Sequence, residues 1–99
     1  MKKFAYIIMG PGYDPDTQRA LFETPGGLTA IFTVRNFAEA KTRLLKCRDE
    51  GFGVVELCGA FGEERARELI ELTENKLGIG FVVHLATQNK LFDSFFSKD

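Results

Sequence analysis

The groups best suited to chemistry lie in one short stretch. Val54-Val55-Glu56-Leu57-Cys58-Gly59-Ala60-Phe61-Gly62 reads as a buried strand that breaks on glycines and runs into a charged helix. In an open α/β sheet, ligands collect just beyond the carboxyl ends of the strands. Cys58 holds that position here, with Glu56 two residues upstream. A second strand, Phe81-Val82-Val83, runs to His84, the sole histidine. Neighbouring strand ends can bring a thiol and an imidazole within reach, so Cys58 and His84 form a candidate thiolate–imidazole catalytic pair. The plainer reading is an inert, partly buried thiol beside a hydrogen-bonded strand-end histidine.

Other groups are expected at the same sheet edge. Arg35 offers a planar fork suited to a carboxylate or a phosphate, and Tyr13 lies in the loop Gly10-Pro11-Gly12-Tyr13-Asp14. A carboxylate inside a strand is costly unless paired. Glu56 therefore either meets a base such as Arg35, reaches water at the edge, or serves as a functional acid. Gly59-x-x-Gly62 before a helix invites a phosphate reading, with Gly59 in the ligand site. It lacks both the Lys-Ser/Thr of a P-loop and the three-glycine dinucleotide pattern. Glu63 and Glu64 also place negative charge where an anion would dock, so tight strand-to-helix packing better explains the glycines. Asp14-Pro15-Asp16 shares only its D-x-D with a calcium loop and reads as a turn. Cys47 and Cys58 form neither a CxxC pair nor a disulfide framework. With one histidine and no Cys/His clustering, no metal site and no cofactor are expected.

Composition narrows the class. Of 99 residues, 44% are hydrophobic and 27% charged, as in an ordinary soluble domain with one core. The net charge of -1 comes from 13 basic and 14 acidic residues scattered along the chain. Nucleic-acid binding draws on clustered positive charge, so no nucleic-acid partner is expected. No apolar run approaches the roughly 20 residues of a membrane helix. Lys2-Lys3 before Phe4 to Met9 mimics a signal peptide but lacks a small-residue cleavage site, and reads as a first strand. Free thiols fit a cytoplasmic setting.

The elements that must position these groups follow from pattern. Phe4 to Met9 is apolar on both faces, as for a central strand covered on each side. Leu21 to Thr24 and Leu28 to Val34 form a hairpin, with Pro25-Gly26 suited to a type II turn. Asn36 is a good N-cap, and Glu39 stands where a capping-box acid would sit. Phe37, Ala40, Leu44 and Cys47 follow helical spacing until Gly51 stops the helix, so Cys47 reads as a core residue. Glu63 and Glu64 open the next helix, with Ala66, Leu69 and Ile70 on its inner face. Ile79 to Leu85 reads as the last strand, and Thr87 as the cap of a short helix with Leu91, Phe92, Phe95 and Phe96 on one side. The expected fold is a single α/β domain over 1–99, a five-stranded mixed sheet in the order β, loop, β-hairpin, α, β, α, β, α. Its crossovers are right-handed, its hairpin's first arm antiparallel at an edge, and its opening strand central.

The strings Phe4-Ala5-Tyr6-Ile7, Gly10-Pro11-Gly12-Tyr13-Asp14-Pro15, Phe22-Glu23-Thr24-Pro25-Gly26-Gly27 and Glu56-Leu57-Cys58-Gly59-Ala60-Phe61-Gly62 resemble a family of short, uncharacterised prokaryotic proteins catalogued as a domain of unknown function. The resemblance spans nearly the whole chain and implies no activity. A weaker likeness, over Gly53 to Cys58, is to the small sulfur-relay proteins, in which a cysteine also follows a Gly-Val-rich strand.

The residues lead to a small cytoplasmic α/β protein that binds a small, possibly anionic ligand at the carboxyl edge of the sheet. Tyr13 and Arg35 would contact the ligand, with Cys58 and His84 lining the pocket. One alternative is a non-catalytic homo-oligomerising domain; another is a thiol or sulfur-transfer enzyme using Cys58. A two-fold homodimer is expected from ten phenylalanines, the Phe92, Phe95 and Phe96 face, and a hairpin arm at a sheet edge.

Overall fold

The computed structural model describes residues 1–97. Strand β1 (Lys2–Met9) is followed by the hairpin β2 (Ala20–Thr24) and β3 (Gly27–Val34), then helix α1 (Phe37–Asp49), strand β4 (Val54–Leu57), helix α2 (Gly62–Leu72) and strand β5 (Gly78–Phe81). A 3-10 turn (Ala86–Gln88) leads into helix α3 (Asn89–Phe96). The five strands form one mixed sheet in the order β2-β3-β1-β4-β5. β1 runs parallel to β3 and β4, β4 parallel to β5, and β2 antiparallel to β3 at the edge. The expected fold class, central opening strand and edge hairpin arm are all present.

Both crossovers advance across the sheet in the same direction, so right-handed connections carry their helices to the same face. α1 packs on β1, β3 and α2, while α2 packs on β5. The core lies between these two layers. Ala5 and Ile7 from β1, Ala30, Phe32 and Val34 from β3, and Val55 and Leu57 from β4 meet Ala40, Leu44 and Cys47 from α1 and Leu69 from α2. Sequence pattern suggests that β1 is covered on both sides, but the structure covers it on one. Phe4, Tyr6 and Ile8, which alternate with the buried residues, are only half-buried.

Local signals account for most element ends. The Asn36 side chain accepts the Glu39 amide at 2.9 Å, as a cap should. The Glu39 carboxylate does not close the box; it accepts the Arg35 amide instead, at 2.8 Å. Past the helix, Gly51 adopts φ +87, where other residues are strained. α2 ends without a glycine: the buried Thr73 hydroxyl donates to the Leu69 carbonyl at 2.8 Å, and Glu74 and Asn75 take φ of 58 and 56.

Three expectations are corrected. β5 ends at Phe81 rather than Leu85, because its partner β4 ends at Leu57, whose carbonyl takes a final bond from the Val82 amide at 2.9 Å. Thr87 lies within the 3-10 turn, and α3 begins without a side-chain cap. Gly26 does not adopt positive φ, so Pro25-Gly26 is not the type II turn. Among the described residues, no helix is long and apolar enough to cross a membrane.

Leu44 is fully buried in the α1–sheet interface, and truncation there leaves a cavity. Leu44→Ala should cost about 2–5 kcal/mol in urea unfolding, whereas Asn36→Ala, which removes one cap bond, should cost about 1 kcal/mol.

Candidate functional site

The structure distributes the residues singled out from sequence over separate places. Tyr13 folds against Gly10: a side chain on Gly10 would come within 3.0 Å of the Tyr13 ring, so the glycine makes room for it. Glu56 stands in β4 on the sheet face opposite α1 and α2, while Cys58 follows the last residue of the strand and packs against the core. Glu56 is paired in register with Tyr6 on one side and Gly80 on the other. A Cβ on Gly80 would lie 2.6 Å from Glu56 Oε1, so the carboxylate fills the space left by that missing side chain. Among the described residues Glu56 forms no salt bridge, and Arg35 pairs with Glu39 instead. The Tyr6 hydroxyl is pushed above its ordinary pKa, by burial first and then by Cys58 and Glu56.

Cys58 is half-buried, and its Sγ accepts the Met9 amide at 3.3 Å. His84 lies beyond β5, where its Nε2 meets the Asn89 Oδ1 at 2.7 Å and its ring stacks on Phe92 with centroids 3.7 Å apart. The two are not hydrogen-bonded to each other. The shortened β5 explains the arrangement: without a ladder past Phe81, nothing holds His84 in line with the end of β4. Gly59 is not tightly packed, since a Cβ there would make ordinary contact with the Val82 carbonyl at 3.6 Å. Gly62, with φ +77 at the start of α2, is the glycine of that pair with a backbone requirement. The first turn of α2 carries Glu63 and Glu64, and Glu63 is ion-paired with Arg67.

A cleft of about 250 Å³ opens where β3 ends, between the loop after β1 and the start of α1. Of the residues expected to hold a ligand, Arg35 lines it; Tyr13, Glu56, Cys58, Gly59 and His84 do not. Its floor and walls include Asp16, Thr33, Glu39, Thr42, Arg43 and Lys46. Thr33 is buried and donates its hydroxyl to the Gln18 carbonyl at 2.7 Å, which ties the loop to β3.

Arg35 is held in place by Glu39, with Nε and a terminal nitrogen 2.9 and 2.8 Å from Oε2. The shared bonds raise the Arg35 pKa and lower that of Glu39. Arg43 lays its guanidinium over the Phe32 ring, 4.2 Å from the centroid, a cation–π arrangement. Arg43 and Lys46 have no carboxylate partner among the described residues. Reading from sequence overlooked both, although a signal existed: Glu39, Thr42, Arg43 and Lys46 recur at three- and four-residue steps on α1, so they share one side of the helix.

The architecture defines a two-layer α/β protein, with a helix-covered core on one face of the sheet and a partly cationic cleft at the end of β3. The chain belongs to DUF6506, a family of unknown function, whose sequence profile matches residues 2–97. No curated protein shows a significant match to the chain. No solved structure does so either.

The two thiols should differ in reactivity. Burial pushes the Cys47 thiol up to about 11, and its side chain is fully buried. The nucleophilic thiolate is therefore scarce and inaccessible in the folded state. Iodoacetamide at pH 8 should alkylate Cys58 first, and modify Cys47 only at the rate of local or global unfolding. Peptide mass spectrometry with and without urea checks this order.

Proposed function

We propose that the protein binds a small anionic molecule, carrying a carboxylate or phosphate group, in the cleft between β3 and α1. The observation that carries this reading is the charge layout of the cleft. Arg35, Arg43 and Lys46 line it against Asp16 and Glu39, and Glu39 is already committed to Arg35. Arg43 and Lys46 are thus left against Asp16 alone, which gives the cleft a net positive charge. An arginine fork and a nearby ammonium suit an oxyanion, the first by geometry and the second as a mobile point charge. Thr42 adds a hydroxyl to the lining. The Arg35–Glu39 pair satisfies its own charges within the lining of the cleft. The cleft volume suits a compact metabolite better than a drug-sized ligand.

The proposed site lies at the end of β3 and takes in Arg35, one of the several carboxyl-edge groups singled out from sequence. Binding requires neither Cys58 nor His84, since both lie outside the cleft.

A thermal-shift screen of small phosphates and carboxylates tests the proposal. A ligand at about 100 times its Kd should stabilise by about 2.7 kcal/mol, a rise of roughly 10 °C or more for a domain of this size. The double variant Arg43→Ala/Lys46→Ala should lose that rise, while Cys58→Ala should keep it. An anion that stabilises the double variant as strongly as the parent, or a screen in which no anion raises Tm, would overturn the reading.

A further inference from the structure

Beyond Phe81 the chain leaves the body of the fold. Residues 82–97 are exposed throughout, and α3 packs on its own 3-10 turn rather than on the sheet. The Cα radius of gyration is 14.1 Å, against about 13 Å for a compact domain of 100 residues. This arm is nonetheless apolar. Leu85, Leu91, Phe95 and Phe96 are 76%, 68%, 73% and 73% exposed. Phe95 meets Phe96 edge-to-face at 4.9 Å, and Phe92 stacks on Phe96 at 6.3 Å, so the rings form one continuous surface.

The same chain carries a second uncovered apolar surface. On the sheet face away from α1 and α2, the registers align Phe22, Thr29, Phe4 and Val54 in one row across four strands. Ile31, Tyr6 and Glu56 form the next row. Phe22 is 56% and Val54 43% exposed.

We infer that two copies of this chain exchange arms, the 82–97 arm of each lying across the open sheet face of the other. Area favours a second copy. With roughly 200 Å² for a whole aromatic side chain, Phe95 and Phe96 alone present about 300 Å². Adding Val83, Leu85, Leu91 and Phe92 brings the arm to on the order of 600 Å². Each copy contributes both an arm and a face, so two reciprocal contacts exceed the about 800 Å² per partner of a standard interface. Charge favours it too. Glu56 stands on the open face and Lys90 on the arm, and neither has an ion-pair partner among the described residues. Reciprocal exchange also closes the assembly at two copies, as a two-fold interface must.

Light scattering coupled to size exclusion on the full chain, at about 100 µM, tests the exchange. The parent should elute as a dimer. Phe95→Glu/Phe96→Glu on the arm and, separately, Phe22→Glu/Thr29→Arg on the face should each elute as folded monomers, with far-UV dichroism confirming the fold. Mixing the arm variant with the face variant should give a heterodimer, weaker than the parent dimer, because one intact arm can still meet one intact face. A monomeric parent would overturn the proposal in favour of an arm folded back on its own sheet or reserved for another protein. A face variant that stays dimeric would replace it with arm-to-arm association, and an arm variant that stays dimeric with face-to-face association. Should the first face variant misfold, Thr29→Arg alone replaces it, because Thr29 is exposed. Failure of the mixture to dimerise would also overturn the exchange.

Discussion

The structure depends on a handed connection used twice. Parallel crossovers are right-handed as a rule, and both helical crossovers here step in the same direction, from β3 past β1 to β4 and on to β5. That places α1 and α2 side by side on one face, where they enclose a single core. The small residues Ala5, Ala30 and Ala40, all fully buried, let helix and sheet approach closely, while Leu44, Leu57 and Leu69 fill the volume between them. The helix layer therefore turns its buried apolar residues toward one side of the sheet.

The other side inherits the consequence. Alternation along a strand sends every second residue to each face, so a strand apolar throughout must be covered twice or leave one face open. β1 is such a strand, and its Phe4, Tyr6 and Ile8 remain half-buried. Among the described residues the one remaining helix, α3, stands apart on an exposed arm. One chain thus holds an uncovered sheet face and an uncovered apolar helix, two surfaces whose burial would release water from both.

The polar features arise from a different constraint. Where β3 outruns its edge partner β2, the loop after β1 fills in, held by the Thr33 hydroxyl. The capping requirement of α1 then places Asn36, Glu39 and Arg35 at one corner. Glu39 serves the start of the helix and orders Arg35 at the same time, so a local device for ending a strand and starting a helix also shapes the mouth of the cleft. Arg43 and Lys46 follow one and two turns later on the same side. The cationic character of the cleft is therefore a by-product of helical periodicity acting on a few basic residues.

Much of this was legible in the amino-acid sequence because it depends on local physics. The hairpin, the Asn36 cap, the Gly51 stop, the burial of Cys47 and the order of the elements all follow from propensity and periodicity over a few residues. The central place of the first strand is suggested by its apolar character, and right-handed crossovers set which face the helices cover, but the neighbours of that strand are not readable from sequence. Tertiary structure decided the rest. Whether β1 is covered once or twice depends on how many helices reach its second face, which no window of β1 contains. The end of β5 is set by the end of β4, a strand distant in sequence, and that shortfall leaves His84 beyond the ladder, bonded to Asn89 rather than to Cys58. The cleft, too, joins a loop, a strand end and a helix side that are distant in sequence, so Arg43 and Lys46 come to line it only when the chain is folded.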